Sequence, residues 1–167
     1  SLTSITIPEG VTSIGYSAFS WCTSLTNITI SEGVTSIGYS AFSECSSLTN
    51  ITIPGSVTSI GDSAFYDCSS LTSINVSENN QYYKSIDGNL YSKDGKTLIQ
   101  YAIGKTATSF TVPDSVTSIG SYAFYNCDCL TSVVIPDSVT SIGDWAFYWC
   151  DSLTSVVIGD SVTSIGS

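Results

Sequence analysis

The chain has no arginine, no histidine and no methionine, and its only bases are Lys84, Lys93, Lys96 and Lys105. Without an imidazole, neither a Ser-His-Asp nor a Cys-His nucleophile can be assembled. Without arginine, and with every lysine confined to one stretch, there is no clamp for a transferred phosphoryl group. The net charge of −10 excludes nucleic acid, whose phosphates need basic side chains, and anionic lipid surfaces. It suits solubility or a cationic partner. No apolar run approaches the ~20 residues of a membrane span, and no secretory leader pattern is present. Proline is limited to Pro8, Pro54, Pro113 and Pro136. With charge scarce, the polar remainder is mostly Ser and Thr, which with Val and Ile suits a pleated surface.

What is present is repetition. Leu2, Leu25, Leu48 and Leu71 recur every 23 residues, Leu130 and Leu153 resume the spacing, and Ile14, Ile37, Ile60, Ile119, Ile142 and Ile165 repeat in step. A fixed period of this length predicts a solenoid in which each coil buries its apolar side only against its neighbours. In the first repeat, Leu2, Ile5 and Ile7 alternate with outward Thr3, Ser4 and Thr6, as in a strand that Pro8 terminates. Val11 and Ile14 mark a second short extended segment, after which Gly15 permits a turn that other residues resist. Ala18, Phe19 and Cys22, spaced i, i+1, i+4, predict about one helical turn, with Tyr16, Ser20 and Trp21 facing solvent. Stacked coils place Phe19, Phe42, Phe65, Phe124 and Phe147 in one spine.

Five of the six cysteines, Cys22, Cys45, Cys68, Cys127 and Cys150, obey the period. Free Cys behaves as a small buried hydrophobe, so a ladder of thiols is the favoured reading and disulfides the alternative. Cys129 stands where other repeats have Ser, and its redox pairing with Cys127 stays open. No metal site is expected, because His and the Cys-x-x-Cys spacing of zinc sites are both absent. No cofactor is expected either.

Between Ile60 and Ile119 the separation is 59 residues, two periods plus 13. The extra residues fall in an irregular repeat at about 77–107. There the Ala-Phe-x-x-Cys element gives way to short apolar segments around Asp94-Gly95, a hairpin signal, with Asp87-Gly88 as a second turn. All the lysines collect here, with Tyr82, Tyr83, Tyr91 and Tyr101. The insertion reads either as a binding feature or as a hairpin that seals one coil, and the second reading is favoured.

The string Leu-x-x-Ile-x-Ile-Pro-x-x-Val-x-x-Ile-Gly-x-x-Ala-Phe-x-x-Cys, carried by Leu48, Ile51, Ile53, Pro54, Val57, Ile60, Gly61, Ala64, Phe65 and Cys68, resembles the BspA-like, treponemal-type leucine-rich repeats. The segment from Ile86 to Leu98 resembles that family's irregular repeat, with Ala102 where a proline often follows the tyrosine. The resemblance covers nearly the whole chain. It implies a surface-exposed or secreted protein that attaches to host matrix proteins or to other cells. The family shares no catalytic residues to carry over.

The expected fold is therefore a leucine-rich-repeat solenoid, α/β by convention but β-dominated. It is a right-handed coil of roughly seven repeats, with a parallel concave sheet, a second extended segment and a short helical turn in each. Residues 1–167 form one domain, expected to be a piece of a longer array truncated mid-array at both ends, with end-to-end self-association through uncapped termini as a further expectation. No enzyme is expected: Glu9, Glu32, Asp114 and Asp137 occupy equivalent solvated turns and do not form a catalytic pair. The candidate protein-binding face is the outer side of the sheet, at Thr3, Thr6, Thr26, Asn27, Thr29, Thr49, Asn50, Thr52, Ser73 and Asn75. It lacks the Trp, Tyr and Arg of binding hot spots, so weak multivalent contact with a host matrix or cell-surface protein is the leading function. A structural spacer is one alternative. Carbohydrate binding is another, through exposed aromatics, with Tyr91, Tyr101, Trp145 and Trp149 as candidate contacts.

Overall fold

Each regular coil folds its Leu-x-x-Ile-x-Ile segment into one strand and its Ser-Ile pair into another. The computed structural model describes residues 1–167 as a stack of such coils, with sixteen strands numbered in chain order. The first file comprises β1 (Ser4–Thr6), β3 (Asn27–Thr29), β5 (Asn50–Ile53), β7 (Ser73–Val76), β11 (Ser109–Thr111), β13 (Ser132–Ile135) and β15 (Ser155–Ile158). The second comprises β2 (Ser13–Ile14), β4 (Ser36–Ile37), β6 (Ser59–Ile60), β12 (Ser118–Ile119), β14 (Ser141–Ile142) and β16 (Ser164–Ile165). Pairing is parallel and advances by one repeat per coil: Ile5 faces Ile28, Ile51 faces Ile74, and Val133 faces Val156. A chain that returns in the same direction after every coil can pair no other way. Leu48, Ile51, Ile53 and Val57 are fully buried, while Thr49, Asn50 and Thr52 between them are exposed.

The third arm of each coil differs from the expected helical turn. Ala41, Phe42 and Cys45 do share one buried face, but the backbone is a run of tight turns. In the second coil the N–H groups of Ser40, Phe42 and Glu44 donate across to the carbonyls of Asp62, Ala64 and Tyr66 in the next coil. The intervening N–H groups of Ala41, Ser43 and Cys45 donate three residues back, to Gly38, Ser40 and Phe42. A helix would direct every N–H inward along its own coil and leave none for the neighbour. The alternation places Ser40 and Glu44 at φ of 54° and 61°, and the same two positions are left-handed in the other regular coils.

The repeated glycine also has a different cause from the one expected. Gly15 and Gly38 do not have positive φ. A Cβ on Gly38 would lie 2.7 Å from the carbonyl carbon of Gly15 and 2.8 Å from the nitrogen of Tyr16. The coils touch backbone to backbone at this file, and that close approach selects glycine.

The irregular coil runs from Leu71 to Ala107 and contains β8 (Tyr83–Ile86), β9 (Asn89–Ser92) and β10 (Thr97–Gln100), an antiparallel meander. Asp87 and Gly88, at φ of 51° and 77°, form the two-residue connection of β8 to β9 that suits the twist of a hairpin. Gly95, at φ of 73°, turns β9 into β10. The meander does not simply project from the coil. Through β10 it joins the second file, with Leu98 facing Ile119. Its first turn abuts β7, where Ile74 N–H donates to Gly88 O at 2.8 Å. At the end of β6, Ile60 N–H donates to the Tyr83 hydroxyl at 2.9 Å, a side chain in place of a strand.

Three buried amides hold this coil. Asn80 donates to Pro54 O and Val57 O, each at 2.9 Å, and accepts from Tyr82 N–H and Tyr83 N–H, each at 2.8 Å. Asn89 accepts from Ala102 N–H, and Gln100 donates to Tyr101 O and Ala123 O. The meander divides the interior in two: one cluster runs from Ile7 to Leu90, the other from Tyr91 to Ala146. The phenylalanine spine divides with it. Phe19, Phe42 and Phe65 stack at 5.6 and 5.8 Å, and Phe124 and Phe147 at 4.8 Å. Tyr101 takes the phenylalanine seat of the irregular coil, stacking on Phe124 at 5.2 Å.

Candidate functional site

The strand face comes together as the alternation requires. Thr6 lies beside Thr29 and Ser4 beside Asn27 on β1 and β3; Asn50 lies beside Ser73 and Thr52 beside Asn75 on β5 and β7. Thr3, Thr6, Thr26, Asn27, Thr29, Thr49, Asn50, Thr52 and Asn75 are exposed, and Ser73 is half-buried. Part of this polarity serves the fold. The hydroxyls of Thr26 and Thr72 donate to Thr3 O and Thr49 O, each at 3.0 Å. Asn50 Nδ2 donates to Thr49 Oγ1 at 3.2 Å, and Ser73 Oγ to Asn75 Oδ1 at 2.8 Å. The second file repeats the device, with Thr35, Thr58, Thr140 and Thr163 each donating to the threonine carbonyl one coil before. What remains for a partner is a regular, uncharged surface of small groups.

The aromatic candidates separate into two kinds. Tyr91 and Tyr101 are core residues, each only 1% exposed, so their assignment as surface contacts is corrected. Tyr101 fills the spine position, and Tyr91 sits on β9 at the division between the two interior clusters; burial is the leading cause that pushes both phenols up to about 12. Trp145 and Trp149 are exposed on the arm of the sixth coil, and Trp145 packs edge-on to Tyr148 at 4.7 Å. In the first coils, Tyr16 stacks on Tyr39 at 5.6 Å while both stay solvent-facing.

A cleft on this arm surface had no signal in the sequence. The irregular coil has no arm, so the arms of the third and fifth coils meet across it. Asn126 Nδ2 donates to Asp67 Oδ1 at 2.7 Å, and the rings of Tyr66 and Tyr125 approach to 4.2 Å. Beside this seam lies a cleft of about 300 Å³. Ser40, Ser43 and Ser63 give it a small-residue floor; Tyr39 and Tyr66 on one side and Tyr122, Tyr125 and Trp145 on the other supply rings. Ser63 is 9% exposed, and its Oγ has no hydrogen-bond partner. Burial, then the neighbouring Asp67 carboxylate, pushes the Glu44 carboxyl above the usual range.

All six cysteines carry free thiols. Cys45, Cys68 and Cys150 donate to the carbonyls of Phe19, Phe42 and Phe124 at 3.0–3.1 Å, so the ladder is also a hydrogen-bonded file. Burial pushes Cys45 up to about 11 and Cys127 up to about 12. Cys129 is exposed. No cluster of His, Cys, Asp or Glu has the arrangement of a metal site, and no helix is long and apolar enough to cross a membrane.

The architecture has close counterparts. The pneumococcal vaccine antigen PcpA superimposes with a TM-score of 0.92 at 31% identity, over 96% of this chain and 40% of that protein. A leucine-rich cell surface protein of Faecalibacterium prausnitzii gives 0.87 at 39% identity, over 97% of this chain and 43% of that one. The T. pallidum leucine-rich repeat protein gives 0.61 at 27% identity, over 98% and 72%. This chain thus spans about two fifths of the first two proteins. Comparison with curated proteins gave no match. The model of the BspA type leucine rich repeat region matches in six copies, over residues 1–99 and 99–167. By repeat, fold and family match together, the chain belongs to the BspA-type leucine-rich-repeat family.

Proposed function

We propose that the chain is a non-enzymatic interaction module displayed at the cell surface, binding host or neighbouring-cell proteins through many weak contacts. The observation that carries this reading is the outer face of β1, β3, β5 and β7, in register within the pairs β1–β3 and β5–β7, where each coil offers nearly the same small polar groups at one-repeat spacing. Linked weak sites give avidity that no single site supplies. Two structural relatives are a bacterial cell surface protein and a vaccine antigen, which supports display on a surface. The test is binding of the purified chain to immobilised extracellular-matrix proteins and to intact cells. Thr29→Lys with Thr52→Lys is expected to abolish binding by placing charge in the middle of the face. Binding that survives this double change removes the strand face from the function.

A spacer is the second reading. It is favoured by the threonine hydroxyls already engaged between coils, which leave the face with little to offer. Replacing the segment in its parent protein with an unrelated rod of equal length separates the two: restored adhesion means a spacer, lost adhesion a binder. Carbohydrate binding through Trp145 and Trp149 is tested in parallel on a glycan array.

A further inference from the structure

The strand face has no hot-spot side chains, whereas the arm surface concentrates them beside the third and fifth coils. The files on either side of the cleft matter as much as its lining. Asp62 and Asp144 occupy the same repeat position as Tyr39, and Glu44 and Asp67 share the position of Trp149. The backbone of each aspartate adjoins a lining residue: Ser40 N–H donates to Asp62 O at 3.2 Å and Tyr122 N–H to Asp144 O at 3.0 Å. The lysines lie elsewhere. Lys105 bonds Asp87 O and sits over Tyr101, and Lys93 bonds Glu78 O. None of these carboxylates lines the cleft itself, but Asp62 and Asp144 lie near enough to Tyr122, and Asp67 and Glu44 to Tyr66, to add to the burial that pushes those phenols up. Ser63, one of the lining residues, has a buried Oγ with no partner in the protein.

We propose that this cleft captures an arginine side chain presented by a basic segment of the protein partner. An organic cation over the faces of Tyr and Trp is attracted by the ring quadrupole, and arginine is the usual guest. The neighbouring carboxylates add charge complementarity, and Ser63 Oγ, once its side chain rotates toward the cleft, supplies an acceptor to a side chain that only donates. A guanidinium is more weakly hydrated than an ammonium, so it loses less on entering an aromatic site than lysine does. The volume of about 300 Å³ lies at the small end of ligand pockets, which fits one side chain. The inference rests on the reading of the chain as a protein binder, and it places the anchoring contact on the arms, away from the strand face.

The test uses the whole chain and three capped tripeptides, Gly-Arg-Gly, Gly-Lys-Gly and the neutral isostere Gly-citrulline-Gly, followed by the indole signals of the three tryptophans in NMR spectra. The Arg peptide is expected to shift the Trp145 indole and leave Trp21 unmoved, to bind about fivefold more tightly than the Lys peptide, and to outcompete citrulline by about tenfold or more. Ser63→Ala and Tyr39→Ala are each expected to weaken it about fivefold, and Trp21→Ala to change nothing. The proposal is overturned if the Arg peptide leaves Trp145 unmoved, if citrulline binds as well, or if methyl glucoside shifts Trp145 and the Arg peptide does not. Its failure is distinguishable from failure of the broader function. Matrix binding that resists Tyr39→Ala and Ser63→Ala but falls to the paired lysine substitutions on the strand face removes the cleft and keeps the adhesin.

Discussion

A regular coil and the irregular coil solve the same problem by different means. In the regular coils, identical positions of successive repeats satisfy one another: backbone to backbone along the strand files and arms, threonine to carbonyl, thiol to carbonyl. In the irregular coil there is no such neighbour, and side chains do what backbone does elsewhere. Tyr83 supplies the acceptor that a strand would give to Ile60, and Asn80 pairs four backbone groups of two coils. Repetition makes each contact replaceable by its equivalent one coil away. The junction has no such redundancy.

The largest effect is expected where a regular coil loses its spine. Phe42→Ala removes a fully buried ring stacked on both sides and should lower stability by about 3–5 kcal/mol, read as a fall in the urea midpoint. Asn80→Ala is the matching change at the junction. It leaves Pro54 O, Val57 O and two N–H groups without partners and should cost about 3 kcal/mol. Hydrogen exchange should localise that loss to the meander, leaving β13 protected; uniform loss across the chain would contradict the division of the interior.

Gly38→Ala should cost about 1–3 kcal/mol by forcing two backbones apart. Gly15→Ala, where a Cβ meets nothing within 4 Å, should be close to neutral. Equal effects from the pair would show that conformational freedom, and not contact between coils, selects the glycine.

The smallest effect at neutral pH is in titration. Cys45 in a regular coil and Tyr91 and Tyr101 in the irregular one lie above their ordinary values of 9.0 and 10.0, at about 11 and about 12. Folding raises these values, so their contribution is fully present below pH 9 and is lost as pH rises toward 12. Thermal stability followed with pH should be flat to about pH 9 and then decline. Cys45→Ser should lessen the earlier part of that decline, to which Cys127 also contributes, and leave the tyrosine part in place.

How much of this the sequence disclosed depends on whether a contact recurs. The Leu, Ile, Phe and Cys files were legible because each position meets its own copy. The arm was misread because spacing i, i+1, i+4 suits a helical turn and a run of alternating tight turns equally; the choice between them lies in the destination of the N–H groups, which one repeat cannot reveal. Tyr91 and Tyr101 read as surface residues because they sit in an insertion with lysines, yet Tyr101 replaces a phenylalanine of the spine. Asn80 carried no signal, since its carbonyl partners lie 23 and 26 residues earlier in an otherwise ordinary turn. The cleft was invisible for a similar reason: it exists because an arm is missing, and a missing arm brings together residues 59 positions apart, as with Asp67 and Asn126.

The alternating donors of the arms have one more consequence. Since every regular coil presents the same donors to one side and the same acceptors to the other, excising the 23 residues between equivalent positions of adjacent regular coils rejoins matching surfaces. Such an array can grow or shrink by whole turns without a misfit, as a chain does by links. The meander is the one link of a different gauge, and it fixes where along that adjustable length the aromatic seam stands.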